Sequence, residues 1–481
     1  MDTKLKAGLE VHQQLDTRKL FCHCPSILRQ DPPDFKIQRQ LHAIAGETGS
    51  IDTAVSFEAE KDKTFIYECH KDNVCLVELD ESPPFEINPE ALSIAIQLSL
   101  LLNCEIIQHT QIMRKTVIDG SNTSGFQRTV LIAKNGYIDT AQGRVKIDTI
   151  ALEEDSARII RNEKNTAVYR LDRLGIPLIE IATAPDLTSA EQVKETALHI
   201  GEVLRACKVK RGIGTIRQDI NMSIKTSQGV SERVEVKGFQ EPSMFLNVIE
   251  KEIERQRLLL EKNQSRKEVR KANDDGTTTF LRPLPGAARM YPETDLPLLH
   301  ISRDLINEAK KNLPKLKAHL REELKSHGLN EELASLILKE EKLEEYKELL
   351  LVHNNPHLIA KMLILWPKDI ASKEKISAEK LEQNITADAI DIILTAVKNK
   401  ELNESQARDV IKEVALGKSV VDAVAEKKEK LPSTANVEEE ILRIIKEKPN
   451  LTINAYMGIV MKEIRGLTGR EAIEILKKLL K

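Results

Sequence analysis

Gly8-Leu9-Glu10-Val11-His12 is the stretch from which the fold of this chain is read. In an extended backbone, residues two apart share a face, so Glu10 and His12 point one way and Leu9 and Val11 the other. Such a strand belongs to a sheet with one face in an apolar core and the other equipped with a carboxylate and an imidazole. That pair is half a metal site. The remaining ligands must come from other strand-like runs, and Glu154, Glu180 and Glu235 are the candidates.

Working outward, Ile216, Ile220, Met222 and Ile224 share one parity and Arg217, Asp219, Asn221 and Ser223 the other, which predicts a strand with a fully polar face. After a Ser227-Gln228-Gly229 turn, Arg233-Val234-Glu235-Val236-Lys237 alternates again, so a β-hairpin is expected with Glu235 beside the polar row. Leu152-Glu153-Glu154-Asp155 ends a run that alternates from Lys146, and Pro177-Leu178-Ile179-Glu180-Ile181 is a buried-strand pattern interrupted by one acid. A glutamate between two isoleucines is costly to bury unless paired or bound to a metal. Oxygen ligands with a single imidazole suit Mg²⁺ or Mn²⁺ better than zinc. Each acid taken singly also fits a salt-bridged rim.

A second constellation is cationic and glycine-rich. Arg114-Lys115-Thr116 precedes Asp119-Gly120-Ser121-Asn122-Thr123-Ser124-Gly125-Phe126-Gln127-Arg128-Thr129, whose backbone N–H groups could cradle phosphates between Lys115 and Arg128, unless the loop is a plain surface turn. Arg114, Lys115, Ser121, Asn122, Arg128 and Arg217 are the phosphate-binding candidates. No GxxxxGK[ST] loop occurs. Cys22, Cys24, Cys69 and Cys75 form two close pairs that could hold a structural zinc or stand as reduced thiols, while Cys104 and Cys207 read as core. His199-Ile200-Gly201-Glu202 lies inside an amphipathic helix and is a coincidental match to a synthetase signature.

The 481 residues imply two to four domains. Charged residues make up 31% of the chain against a formal net charge of -3, so any nucleic-acid surface must be local. Six cysteines are too few for a disulfide framework, and no apolar run has the length of a signal peptide or membrane span, so a cytoplasmic protein away from membranes is expected. Residues 1–300 read as α+β or mixed α/β, with helices at Pro89 to Asn103, capped by Asn88, at Ser189 to Ala206, with Thr188 and Glu191 at capping-box spacing, and at about Glu241 to Asn263. From Ile301 the pattern is helical throughout. A linker over Glu426 to Asn436 separates a helical domain, 301–430, from a helical tail, 431–481.

Taken together, Gly8-Leu9-Glu10-Val11-His12, Lys19-Leu20-Phe21-Cys22, Leu152-Glu153-Glu154-Asp155, Gly175-Ile176-Pro177-Leu178-Ile179-Glu180-Ile181 and Tyr291-Pro292-Glu293-Thr294-Asp295-Leu296-Pro297 resemble the B/E family of tRNA-dependent amidotransferase subunits. Ile118 to Thr129, Ile216-Arg217-Gln218-Asp219-Ile220-Asn221 and Arg282 to Met290 are similar to its archaeal E branch. The resemblance implies a cradle-like α+β catalytic domain with a mixed or antiparallel sheet, then an all-α domain and a small helical tail. It implies an ATP-dependent enzyme that phosphorylates the γ-carboxylate of Glu-tRNA(Gln) and replaces the phosphate with ammonia. Glu10, His12, Glu154, Glu180 and Glu235 would be catalytic, with Mg²⁺ on His12, Glu154 and Glu180. Glu10 and Glu235 would complete a second cation position or activate the ammonia.

The chain shows no Ser-Ser-Lys amidase signature, so the resemblance implies ammonia from an asparaginase-like D subunit, in a heterotetramer. The segment Tyr456 to Gly466 resembles the family's tRNA-gripping tail, with Lys462, Arg465, Lys477 and Lys478, and also Arg470 and Lys481, for phosphate contacts. Two other readings are a B-type subunit of a three-subunit Asp/Glu-tRNA amidotransferase and a non-catalytic tRNA-binding scaffold. In one respect the chain departs from the family: Gln264 to Asp275 spans the place where the E branch carries a synthetase-like inserted domain, so that domain is absent.

Overall fold

The computed structural model describes residues 3–480 except 44, 46–48, 52, 62, 240, 285, 287–289, 429–433, 450 and 464–468. The chain divides between Leu316 and Lys317 into two compact units.

The first unit is built on a twelve-stranded sheet. Its strands run, from one edge, Thr278–Pro283, Glu268–Ala272, Val234–Phe239, Ile216–Thr226, Lys4–Gln14, Pro177–Thr183, Gly143–Glu154, Phe126–Thr140, Ile112–Thr116 and Met290–Pro292, with two short strands off this path. Along this path pairing is antiparallel except between Val234–Phe239 and Glu268–Ala272, so the sheet is mixed. Lys4–Gln14 lies inside it, flanked by Pro177–Thr183 and Ile216–Thr226. A strand in this position can pack one face in the core and turn the other to a polar surface, as the alternation predicts.

One face of the sheet is covered. Leu9, Val11, Leu152, Ile179, Ile181, Ile220 and Val236 pack in a single core with Ile94 and Leu98, Val193 and Ile200, and Val248 and Ile249. These last pairs belong to the helices Pro89–Leu101, Ala190–Ala206 and Met244–Glu261. Burying an aliphatic side chain of this size stabilises the fold by about 1.5–3 kcal/mol, and the whole layer does so on one parity. The opposite parity is left to polar groups.

The helix starts follow side-chain chemistry. Asn88 accepts from the N–H groups of Glu90 and Ala91. The second helix is capped one residue later than expected: Ser189 Oγ accepts from Gln192 N, and Gln192 Oε1 accepts from the Thr188 N–H and hydroxyl. The expected hairpin forms, with Asn221 opposite Glu235.

A smaller sheet, Phe35–Arg39, Thr64–Cys69, Thr166–Arg170 and Arg158–Asn162 in that order, has its own core around Phe65, Tyr67 and Tyr169. The first helix of the helical run, Arg303–Lys311, buries Ala309 in the main core. From Lys317 onward the described residues hold helices and no strand. Two separate apolar cores occur there, one around Ile337, Leu394 and Ile411 and one around Ile441, Tyr456 and Leu476. The linker expected over 426–436 is helical at both ends, within Val420–Lys428 and Thr434–Glu447; its centre, 429–433, lies outside the described residues. No helix among the described residues is long and apolar enough to cross a membrane.

Candidate functional site

The polar face of the sheet opens into a cleft of about 1100 Å³. Register decides which side chains meet there. His12 stands opposite Glu180 on one neighbouring strand and Arg217 on the other, and Glu10 stands opposite Asp219. His12 Nε2 lies 3.2 Å from Glu180 Oε2 and 3.3 Å from Glu10 Oε1. Ligand atoms of His12, Glu153 and Glu180 lie within 4.8 Å of one another, and so do those of Glu10, His12 and Asp219.

Acids and bases meet along this row. Six carboxylates, Glu10, Asp119, Glu153, Glu180, Asp219 and Glu235, line the cleft together with Lys115, Arg217, Arg233, Lys237, Lys271 and Arg282. Lys115 bonds to Glu153 and lies 3.7 Å from Glu180, while Lys237 bonds to Asp219 at 2.6 Å and to Glu235. Burial, then Glu180, raise Glu10 to about 7 against the opposing pull of His12 and Lys237. Burial works against protonated His12, but the hydrogen bond and charge of Glu180, with Glu10 and Glu153, hold the imidazole above its ordinary value. Carboxylates crowded this closely draw in positive charge. A divalent cation with oxygen ligands and one imidazole fits both donor sets.

The phosphate candidates separate into two groups. Lys115, Ser121 and Arg217 line the cleft. Arg217 is aimed by Asp155, a buried acid that accepts from Arg217 Nη2 at 3.0 Å and from Gln14 Nε2 at 2.6 Å. Asn122 is buried, and its Oδ1 accepts from the Ser121 and Ser156 hydroxyls at 3.2 and 3.0 Å, so it orients the rim and does not itself line the cleft.

Arg114, Arg128 and Glu154 are elsewhere. The two arginines meet the fully buried Glu293, which accepts from Arg114 Nε and Arg128 Nε at 2.8 Å each, while Glu154 Oε2 lies 3.3 Å from Arg128 Nη1. Both arginines also lie over the Phe126 ring. This network fastens the Tyr291–Pro297 motif to the sheet. Glu154 therefore does not join His12; Glu153, one residue earlier and on the other face, takes the place expected of it. Glu235 lines the cleft beside the Glu10, His12 and Asp219 group, sharing Lys237 with Asp219. Sequence reasoning also passes over Lys237, Asp155 and the place of Asp219 among the candidate ligands, although Asp219 stands in the predicted polar row.

Three of the four thiols converge. Cys22, Cys24, Cys75 and Glu78 place one ligand atom each within 4.8 Å of one another. Cys22 Sγ donates to Glu78 Oε1 at 2.7 Å, and Lys19 Nζ lies 3.3 Å from that oxygen. Hydrogen bonds from Cys22 and Cys24 hold the Cys75 thiol well below its usual value. Cys24 is pushed up to about 12: the Cys22 hydrogen bond pulls it down, but Cys75 and burial outweigh it. Cys69 stands outside, buried in the small sheet with its Sγ donating to Tyr67 O. Three sulfurs and a carboxylate suit tetrahedral zinc. Cys104 and Cys207 pack against the main core.

Of the tail cations, Lys462, Lys477 and Lys478 are exposed, and Lys478 pairs with Glu438 at 2.8 Å. Arg465, Lys481 and the Arg470 side chain lie outside the described residues.

Residues 5–307 match a family model described as the GatB/GatE catalytic domain. The chain is similar to the E subunit of glutamyl-tRNA(Gln) amidotransferase from Methanocaldococcus jannaschii, 35% identical over 99% of this chain and 98% of the relative. It is similar to the same protein of Archaeoglobus fulgidus, 32% identical over 99% and 98%, and of Thermococcus sibiricus, 33% identical over 96% and 95%. The first alignment runs over 633 positions, more than the 481 residues of this chain, so that relative holds residues with no counterpart here.

Proposed function

The chain belongs to the GatB/GatE family of amidotransferase subunits, and on that premise we propose that it converts Glu-tRNA(Gln) to Gln-tRNA(Gln) by way of an acyl phosphate, using ATP and Mg²⁺. A carboxylate is a poor electrophile. Transfer of the γ-phosphoryl group of ATP to the glutamyl γ-carboxylate releases ADP and supplies a leaving group. Attack of ammonia at the acyl carbon then breaks the bond to phosphate and leaves the amide. The observation that carries this reading is the row of carboxylates around His12, with Lys115 and Arg217 beside it on one cleft.

His12, Glu153 and Glu180 would hold one divalent cation, and Glu10 and Asp219, with His12 between the two sets, would hold a second; bound there, such a cation would supply charge neutralisation for phosphate oxygens. Lys115, Ser121 and the Asp155-braced Arg217 bind phosphate oxygens. Glu235, held by Lys237 at the other end of the row, accepts the proton that ammonia sheds. Ammonia comes from an asparaginase-like D subunit in a heterotetramer. Cys22, Cys24, Cys75 and Glu78 bind a structural zinc, and the helical tail holds tRNA through Lys462, Lys477 and Lys478.

The test supplies the purified chain with Glu-tRNA(Gln), ATP, Mg²⁺ and free ammonium, which bypasses the partner. ATP-dependent appearance of glutamine on the tRNA, lost in Glu180→Gln, is expected. Tight tRNA binding without ATP turnover would instead make the chain a scaffold.

A further inference from the structure

One segment of the cleft wall has no part in this chemistry. Between Lys210 and Thr215 the chain forms a short loop whose tip is Gly212-Ile213-Gly214. Gly212 and Gly214 take φ values of 116° and 84°, a backbone conformation that L side chains rarely adopt. Ile213, held between them, is fully exposed at 108% and yet lines the cleft. The feet of the loop are fixed: Lys210 N donates to Gln14 O at 2.9 Å, Gln14 N donates to Thr215 O at 2.9 Å, and Gln13 Nε2 donates to Lys210 O at 2.9 Å. Gln13 and Gln14 directly follow His12. A β-carbon built at either glycine would meet nothing within 4 Å, so the tip has open space around it.

A lone exposed aliphatic residue needs no explanation on an ordinary surface. Here it is carried by two special backbone positions over the cleft that holds the carboxylate row, in the same lining as Ile216 and Phe239, and its base is tied to the strand that bears Glu10 and His12. We propose that Ile213 is the apolar platform for an adenine base bound in this cleft. The inference rests on the ATP and aminoacyl-tRNA reading above and adds the base subsite to it. Both substrates bring an adenine, one in ATP and one in the 3′-terminal nucleotide of tRNA. A purine face gains by covering an aliphatic side chain, whereas the charged row binds phosphate and carboxylate.

Calorimetry on the full chain tests this with Ile213→Ser and Ile213→Leu. Binding of MgATP is compared with magnesium tripolyphosphate, which lacks the base, and tRNA with its terminal adenosine is compared with the same tRNA lacking it. Covering about half of an isoleucine side chain corresponds to about a tenfold change in affinity. In Ile213→Ser the advantage of the base-bearing ligand should fall about tenfold in one of the two pairs, with Ile213→Leu close to wild type. Loss in the first pair assigns the base to ATP, and loss in the second assigns it to tRNA. Both ratios unchanged in Ile213→Ser, with ATP and tRNA still bound, would overturn the subsite and leave the amidotransferase reading standing. A wild-type chain that binds neither ligand would overturn both.

Discussion

Replacing Glu153 and Glu154 separately by glutamine distinguishes the two faces of one strand. Glu153 bonds to Lys115 and has an oxygen within 4.8 Å of a His12 ring nitrogen and of a Glu180 oxygen. Its amide would remove one charge from the cation site and leave Lys115 facing a neutral group. Removing one such preorganised electrostatic interaction costs about 10²–10³ in kcat, or roughly 3–4 kcal/mol. Glu154 instead meets Arg128 at 3.3 Å, while Arg128 keeps its 2.8 Å bond to Glu293. The Glu154→Gln change therefore weakens one of two partners, about 1–2 kcal/mol, which for the unit Met1–Leu316 corresponds to a fall of roughly 1.5–3 °C in Tm. Ammonium-dependent glutamine formation and thermal unfolding, measured on both variants, separate the effects. Full activity in Glu153→Gln together with an inactive but stably folded Glu154→Gln would refute the assignment.

Three further outcomes are expected. Metal analysis of the purified chain should find zinc bound, with the content falling in Cys22→Ser, Cys24→Ser and Glu78→Gln but not in Cys69→Ser; equal loss in Cys69→Ser would exclude the four-ligand set. Burial raises the carboxyl of Glu293, but Arg114 and Arg128 outweigh it and hold the group below its ordinary value of 4.5. Its stabilisation is then present in full above that value and lost as pH falls through the folded value, so the Tm gap between wild type and Glu293→Gln should narrow below about pH 4.5; a gap independent of pH would contradict this. Charge reversal at Lys462, Lys477 and Lys478 together should weaken tRNA binding and flatten its salt dependence, by a slope of about 0.7–0.9 for each phosphate no longer neutralised; an unchanged slope would place the tRNA elsewhere.

Much of this site is legible in residue order, because strand alternation is a local property. Leu9 and Val11 against Glu10 and His12, and Ile220 and Met222 against Asp219 and Asn221, each state which face is core. The same logic, followed strictly, also reaches Glu153. Ile150 and Leu152 lie on the core parity, so Glu154 continues that parity and Glu153 faces out. Treating the acids as a cluster, without carrying the parity to the end of the strand, is what misplaces Glu154. Arg114 and Arg128 have no such signal, because their partner Glu293 is 179 and 165 residues away. Cys69 is near Cys75 in sequence, but its strand turns it into the small core. Glu78 joins the sulfurs through a turn whose shape no periodicity records.

The junction after the Met244–Glu261 helix has a bearing on how chains of this kind change length. The strand Val234–Phe239, that helix and the parallel strand Glu268–Ala272 form a finished crossover, and six residues, Lys262 to Lys267, close it. Asn263 there adopts a φ of 54°, and its N–H and that of Gln264 bond back to the helix at Leu260 and Leu259. The helix thus stops by its own chemistry and owes nothing to whatever follows. A domain could be spliced in or cut out at this point without shifting the register of any strand that carries the carboxylate row. A change of length confined to Lys262 to Lys267 would leave the paired strands on either side of it in place.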